Sequence, residues 1–151
     1  MRKRNLDEVV FDLLSLTPLI RRSIHRKLLK AAFTKIEEDV GLPHLEIMKI
    51  LEMEGTKHIA EIGERLQIPK PQMTHLIDRL ERLEIVHRQP DTNDRRITNV
   101  VLTEHGRRIV QEIDENLYDS MNEVLACLSD AELKELSVSL KKLGDLLNKI
   151  Q

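Results

Sequence analysis

A mainly helical chain with one β-hairpin is what the sequence predicts, and three observations carry that prediction. Five glycines and five prolines in 151 residues are too few for a turn-dense β sandwich. Apolar residues recur at intervals of three and four through most of the chain, the spacing of a helix face. That period fails once, between 85 and 102, where β-branched residues cluster on either side of a charged turn. Aromatic residues make up only 2%, with no Trp, so the core must come from Leu, Ile, Val and Met.

The elements follow in order. Leu6, Val9, Val10, Leu13, Leu14, Ile20, Ile24 and Leu28 mark a long helix to about Ala32, which Pro18 should kink or break. After Gly41, Pro43 suits the first turn of a second helix carrying Leu45, Ile47, Met48, Ile50 and Leu51. A short helix from about His58 to Leu66 presents Ile59, Ile62 and Leu66 on one face. Beyond Pro69, a helix from near Lys70 to about Glu84 turns Met73, Leu76, Ile77, Leu80 and Leu83 inward. Strand-like runs at 85–89 and 97–102 flank the turn-prone Pro90-Asp91-Thr92-Asn93-Asp94-Arg95-Arg96, the only hairpin expected. Thr103 should cap a helix to about Leu128. Ser129-Asp130-Ala131-Glu132 is a capping box opening a last helix to about Lys149, with Leu133, Leu136, Leu140, Leu143, Leu147 and Ile150 apolar.

Composition narrows the function. One cysteine excludes an intrachain disulfide and a cysteine-based zinc cage. Cys127, in an apolar run, is expected to be a buried structural thiol. No apolar run approaches the roughly 20 residues of a membrane span, and acidic residues stand where a signal peptide would be apolar, so the expected compartment is the cytoplasm. Six histidines lack metal-ligand spacing, and no phosphate loop or catalytic constellation is present, so neither an enzyme nor a cofactor is expected. The net charge of −2 is unevenly spread: net +5 over 1–30, −4 over 31–65, +2 over 66–108 and −5 over 109–151. A mildly basic centre between acidic flanks is compatible with a local anionic partner.

Short helix, tight turn, helix, hairpin is the order of a winged helix-turn-helix. A major groove about 12 Å wide admits one α-helix, the preceding helix braces it, and a basic hairpin can reach the adjacent minor groove. On the helix at 70–84 the outer face is Pro71, Thr74, His75, Asp78 and Arg82, flanked by Gln72 and Arg79. Thr74 and His75 can reach base edges, Gln72 can pair with adenine, and Arg79 and Arg82 suit phosphates. Such a face on an isolated helix would simply be solvated; the hairpin beside it favours DNA. Asp78 and Asp94 would repel phosphate unless each has an Arg neighbour.

The chain resembles the MarR family of transcription regulators. The residues that carry the resemblance are Ile59-Ala60-Glu61-Ile62-Gly63-Glu64-Arg65-Leu66, Met73-Thr74-His75-Leu76-Ile77-Asp78-Arg79-Leu80-Glu81, Asp94-Arg95-Arg96 and Val101-Leu102-Thr103-Glu104-His105-Gly106. Two positions depart from the family pattern. Glu84 stands where glycine usually makes a left-handed turn, and Pro69 and Pro71 flank Lys70 where Ser or Thr is more frequent. The resemblance implies a winged helix-turn-helix over 42–103, with a dimerisation region from 1–41 and 104–151. It implies DNA contacts from Lys70, Gln72, Thr74, His75, Arg79, Arg82, Asp94, Arg95 and Arg96, with Arg96 in the minor groove and Asp94 holding the wing tip. It further implies a homodimeric repressor on a pseudo-palindromic operator of double-stranded DNA. A small aromatic or anionic effector would release it from a crevice including Phe11, Met48 and Tyr118. Arg21, Arg22, Arg26 and Lys27 would attract an anion there, or form a solvated face or contact phosphate. The competing reading is a helical protein–protein interaction module without DNA binding, which the acidic segments suit.

Overall fold

In the computed structural model, residues 2–34 and 36–149 are described; Ile150, assigned above to the last helix, lies outside them. Helix α1 (Arg2–Ile20) continues through a π-helical turn at Arg21–His25 into α2 (Arg26–Ala32). Of the kink or break expected at Pro18, the break does not occur: the proline lies inside the helical run. The Arg26 amide reaches Arg21 O, five residues back, so the helix widens just beyond the proline. Next come α3 (Leu42–Glu54), β1 (Lys57–His58), α4 (Ile59–Leu66) and α5 (Lys70–Arg82). The hairpin is β2 (Val86–Pro90) and β3 (Thr98–Leu102), followed by α6 (Glu104–Leu125) and α7 (Asp130–Leu147).

The sheet has three antiparallel strands in the order β1-β3-β2, with Val86 opposite Leu102 and Lys57 opposite Val100. Sequence reasoning found the hairpin and missed β1, whose two residues are too short to show an alternation. The expected caps form. Thr103 Oγ1 accepts from the Gly106 amide at 3.0 Å, and the Ser129 amide donates to Glu132 Oε2 at 2.8 Å. That bond holds the Glu132 carboxyl below its ordinary range.

One core runs through the middle of the chain. Ile47, Met48 and Leu51 of α3 meet Ile62 of α4, Met73, Ile77 and Leu80 of α5, Val100 and Leu102 of β3, and Ile109, Val110 and Ile113 of α6. The two ends differ. No residue of α7 is buried, and Leu6, Val9, Leu13 and Ile20 of α1 are exposed together with Leu140, Leu143 and Leu147 of α7. Cys127 is exposed too, correcting the expected buried thiol. Cys127 falls in the turn after α6, beyond the last buried residue of that helix, Ile113. Among the described residues no helix is long and apolar enough to cross a membrane.

Candidate nucleic-acid interface

Helix α5 is set by two turns of one design. At the end of α4, Gln67 adopts a left-handed conformation (φ 55°); its amide donates to Glu64 O and that of Ile68 to Gly63 O. At the end of α5, Glu84 does the same (φ 58°), its amide donating to Glu81 O and that of Ile85 to Leu80 O, both at 2.9 Å. Both are Schellman motifs, which satisfy carbonyls that a helix end leaves free. The left-handed turn thus survives without glycine. Its two bonds, the burial of Ile85 and a Thr103 hydroxyl donating to Glu84 O hold the side-chain-bearing residue there. The α4–α5 angle needs a small residue: a Cβ on Gly63 would lie 3.3 Å from Ile68 O and 3.5 Å from Met73 Cγ.

With Met73, Ile77 and Leu80 buried, α5 presents Lys70, Gln72, Thr74, His75 and Arg82 to solvent. The Thr74 hydroxyl donates back to Lys70 O, and Arg82 Nε to Asp78 O. No side chain caps the first turn, and Pro71 has no amide there, so the positive end of the helix dipole stays open to solvent. Arg79 departs from its expected role. Its guanidinium is tied to Asp39, ahead of α3, through Nη2 to Oδ2 at 2.9 Å and Nε to the backbone oxygen at 3.3 Å. Nearby His44 accepts the Gly41 amide on Nδ1 at 3.0 Å. Burial, then the Arg79 charge, lower its pKa, against an opposing pull from Asp39.

The two carboxylates expected to need partners have them. Asp78 accepts from Arg88 Nη2 and Glu81 from Arg88 Nη1, both at 2.6 Å, so one strand residue holds two acids of α5. At the wing tip Asp94 accepts the Arg96 amide at 3.0 Å and lies 3.5 Å from Arg96 Nε. Arg95 and Arg96 are exposed, and the Arg96 side chain is 94% accessible. The tip itself is organised by Asp91, which sequence reasoning did not single out. Its carboxylate accepts the amides of Asn93 and Asp94 and the side-chain amide of Asn99. These bonds, the one from Asn93 foremost, lower its pKa. An Asp followed by a turn-prone run is the pattern of an Asx turn, so this signal was available. Arg88 had none, because its partners are set by tertiary pairing. An open groove of about 880 Å³ lies between α4, the start of α5 and the wing, lined by Gly63, Lys70, Met73, Thr74, Arg88 and Arg96.

The expected effector residues do not meet in a crevice. Met48 is 0% exposed within the core, whereas Phe11 and Tyr118 are each 70% exposed. Full burial of Met48 by α3 packing corrects its assignment as a lining residue. Among the described residues no three His, Cys, Asp or Glu side chains are placed to hold a metal ion.

Known proteins share this arrangement. The profile described as the MarR family matches residues 41–98, the stretch from the start of α3 into the wing. The HTH-type transcriptional regulator FarR of Neisseria gonorrhoeae is 32% identical over 105 residues, covering 68% of this chain and 72% of that protein. The chain belongs to the MarR family. MarR-family proteins are DNA-binding transcriptional regulators and not enzymes, and this member is a regulator of that class. The YusO protein of Bacillus subtilis superposes on this MarR-family chain with a TM-score of 0.73 at 25% identity, covering 92% of this chain and 96% of that one. A mutant of S. aureus MepR, bound to an oligodeoxyribonucleotide, shares the fold with a TM-score of 0.67 at 20% identity, over 92% and 98% of the two chains.

Proposed function

We propose that this regulator binds a pseudo-palindromic operator as a homodimer and represses transcription until a small aromatic or anionic effector releases it. The observation that carries the reading is the exposed outer face of α5 beside a wing tip that turns Arg95 and Arg96 to solvent. In this reading Gln72, Thr74 and His75 address base edges, while Lys70, Arg82 and Arg95 address phosphates. Arg96 enters the minor groove, where negative potential is strong. Arg79 reaches phosphate only by leaving Asp39. Residues 42–103 form the DNA-binding part.

Residues 1–41 and 104–151 supply the dimer. The support is the apolar stripes of α1 and α7, too large for a lone soluble chain to leave in water. A two-fold dimer sets its two recognition helices in successive major grooves, about 34–36 Å apart. For an effector, the support is the exposed cations Arg21, Arg22, Arg26 and Lys27 near apolar surface, with Phe11 and Tyr118 as candidate contacts.

Selection from a random duplex library followed by footprinting tests the first part. A protected site with two inverted half-sites is expected, and its affinity should fall steeply with salt. No duplex binding at low salt, or one asymmetric half-site at full affinity, overturns it. Titrating aromatic carboxylates into the complex tests the effector. Weakened DNA binding and a raised melting temperature are expected, and neither at millimolar levels removes it.

A further inference from the structure

We propose that Arg88 is the positioning residue that locks the recognition helix to the wing, so that sequence discrimination by α5 depends on a strand residue engaged with two carboxylates. The proposal rests on the DNA-binding reading above.

The geometry leads there directly. Arg88 lies within β2, whose chain reaches α5 only through the turn at 83–85. That turn pins the C-terminal end of α5 through the Schellman bonds of Glu84 and Ile85. Core packing of Met73, Ile77 and Leu80 holds the inner side of α5, and the turns hold its ends, but none of these links the outer polar side of α5 to the wing strand. The Arg88 guanidinium makes that link. One terminal nitrogen takes Asp78 and the other takes Glu81, residues one helical turn apart, each at 2.6 Å. The Arg88 backbone amide also donates to Glu81 Oε1 at 3.3 Å, tying the strand itself to the helix.

Arginine is the residue type this needs. Its planar fork presents two donors at fixed separation, and a lysine ammonium, being a point charge, cannot reproduce that fork across two acceptors. All three side chains are between about one-quarter and one-half exposed, so the contacts are partly desolvated and keep more strength than a surface pair. The carboxylates hold the cation in turn, and the two hydrogen bonds raise its pKa against the opposing effect of burial.

Two consequences are separable. Arg88 neutralises acids that would otherwise repel phosphate, an effect felt equally on every DNA sequence. It also holds α5 and the Arg96-bearing wing at one relative placement, which matters only when base edges must be met in register. A purely electrostatic role and a positioning role therefore predict different behaviour when all three charges are removed together.

The test compares the full-length wild type with Arg88→Lys, Arg88→Met, and Arg88→Met combined with Asp78→Asn and Glu81→Gln. Two readouts are taken: the affinity ratio between the selected operator and random duplex, and amide hydrogen exchange of α5 relative to α3 without DNA. Arg88→Met should weaken binding to both duplexes and lower the ratio about tenfold, the scale of one misplaced base contact. The triple variant should regain affinity for random duplex while its ratio stays low. Arg88→Lys, which keeps the charge and the fold, should lower the ratio and speed exchange in α5 while α3 keeps its protection.

Full recovery of the ratio in the triple variant overturns the proposal, leaving charge neutralisation alone. So does a salt slope on random duplex that falls by about one in the triple variant, because Arg88 would then itself contact phosphate. So does α5 exchange in Arg88→Lys matching wild type. Wild type that binds no duplex at low salt, with α5 exchange still accelerated in Arg88→Lys, overturns the DNA reading and with it the discrimination role, while the mechanical clamp itself stands.

Discussion

Gly106 sits in the first turn of α6, where that helix meets the start of the wing. A Cβ built on it would lie 2.2 Å from the carbonyl oxygen of Ile85 and 2.8 Å from Leu102 Cδ1. Ordinary contact begins at 3.4 Å, so Gly106→Ala forces α6 and the β2 strand apart by about 1.2 Å. The same carbonyl accepts from the amide and the hydroxyl of Thr103, each at 3.0 Å, and that hydroxyl caps the Gly106 amide. Overpacking of this kind costs about 1–3 kcal/mol, and a weakened cap adds about 1 kcal/mol. Alanine's better helix propensity returns at most about 1 kcal/mol. The net expectation is a loss of about 1–3 kcal/mol. Gly63→Ala provides the comparison. Its Cβ would meet Ile68 O at 3.3 Å, tight but relieved by a few tenths of an ångström, so its stability should stay within about 1 kcal/mol of wild type. Urea denaturation followed by circular dichroism, at matched protein concentration, measures both. Gly106→Ala as stable as wild type, or Gly63→Ala the more damaging of the two, refutes the reasoning from close approach.

Five further expectations follow from named residues. Glu84→Gly should raise stability by about 0.5 kcal/mol, relief of left-handed strain outweighing the added freedom of the unfolded chain. Glu84→Val should lower it, and the reverse order of the two in denaturation removes the strain argument. The Asp91 carboxyl titrates below its ordinary 3.8, so its contribution to the wing tip is complete above about that pH and is lost as pH falls through the depressed value. Amide resonances of Asn93 and Asp94 should report this, and a tip that responds to no acidification, or already at the ordinary carboxyl value, speaks against the role of Asp91. Arg96→Ala should weaken binding to every duplex and flatten the salt slope by about one. His75→Ala should instead cost about 1–3 kcal/mol at one base pair, and equal loss on specific and random DNA removes His75 from the base-reading set. Replacing Leu140 and Leu147 by Asp should abolish dimerisation while the α3–α6 core stays folded, since neither residue is buried within the chain. Light scattering and calorimetry check it, and an intact dimer of the double variant contradicts the assigned interface.

The local elements were legible in the sequence because their causes are local. Apolar spacing places Met73, Ile77 and Leu80 on one face of α5, Thr103 and Ser129 cap through residues three positions on, and a run of β-branched residues makes the strands. The outer face with Thr74, His75 and Arg82 could be placed by the helix period alone. What remained hidden depends on partners far along the chain. Arg79 suits phosphate by its place on the helix, yet Asp39, forty residues earlier, engages it in the folded chain. Met48 looked like one of several apolar residues available to a crevice, and only packing shows that α3 buries it completely. Glu84 breaks the glycine rule, and beside the local bonds to Glu81 and Leu80 its left-handed turn is held by the hydroxyl of Thr103, nineteen residues on. Local sequence determines which conformation each segment favours and which face is apolar; tertiary contacts decide which charge meets which, and there the pairing of Arg88 with Asp78 and Glu81 is settled, because a side chain's partner depends on where distant segments meet in space.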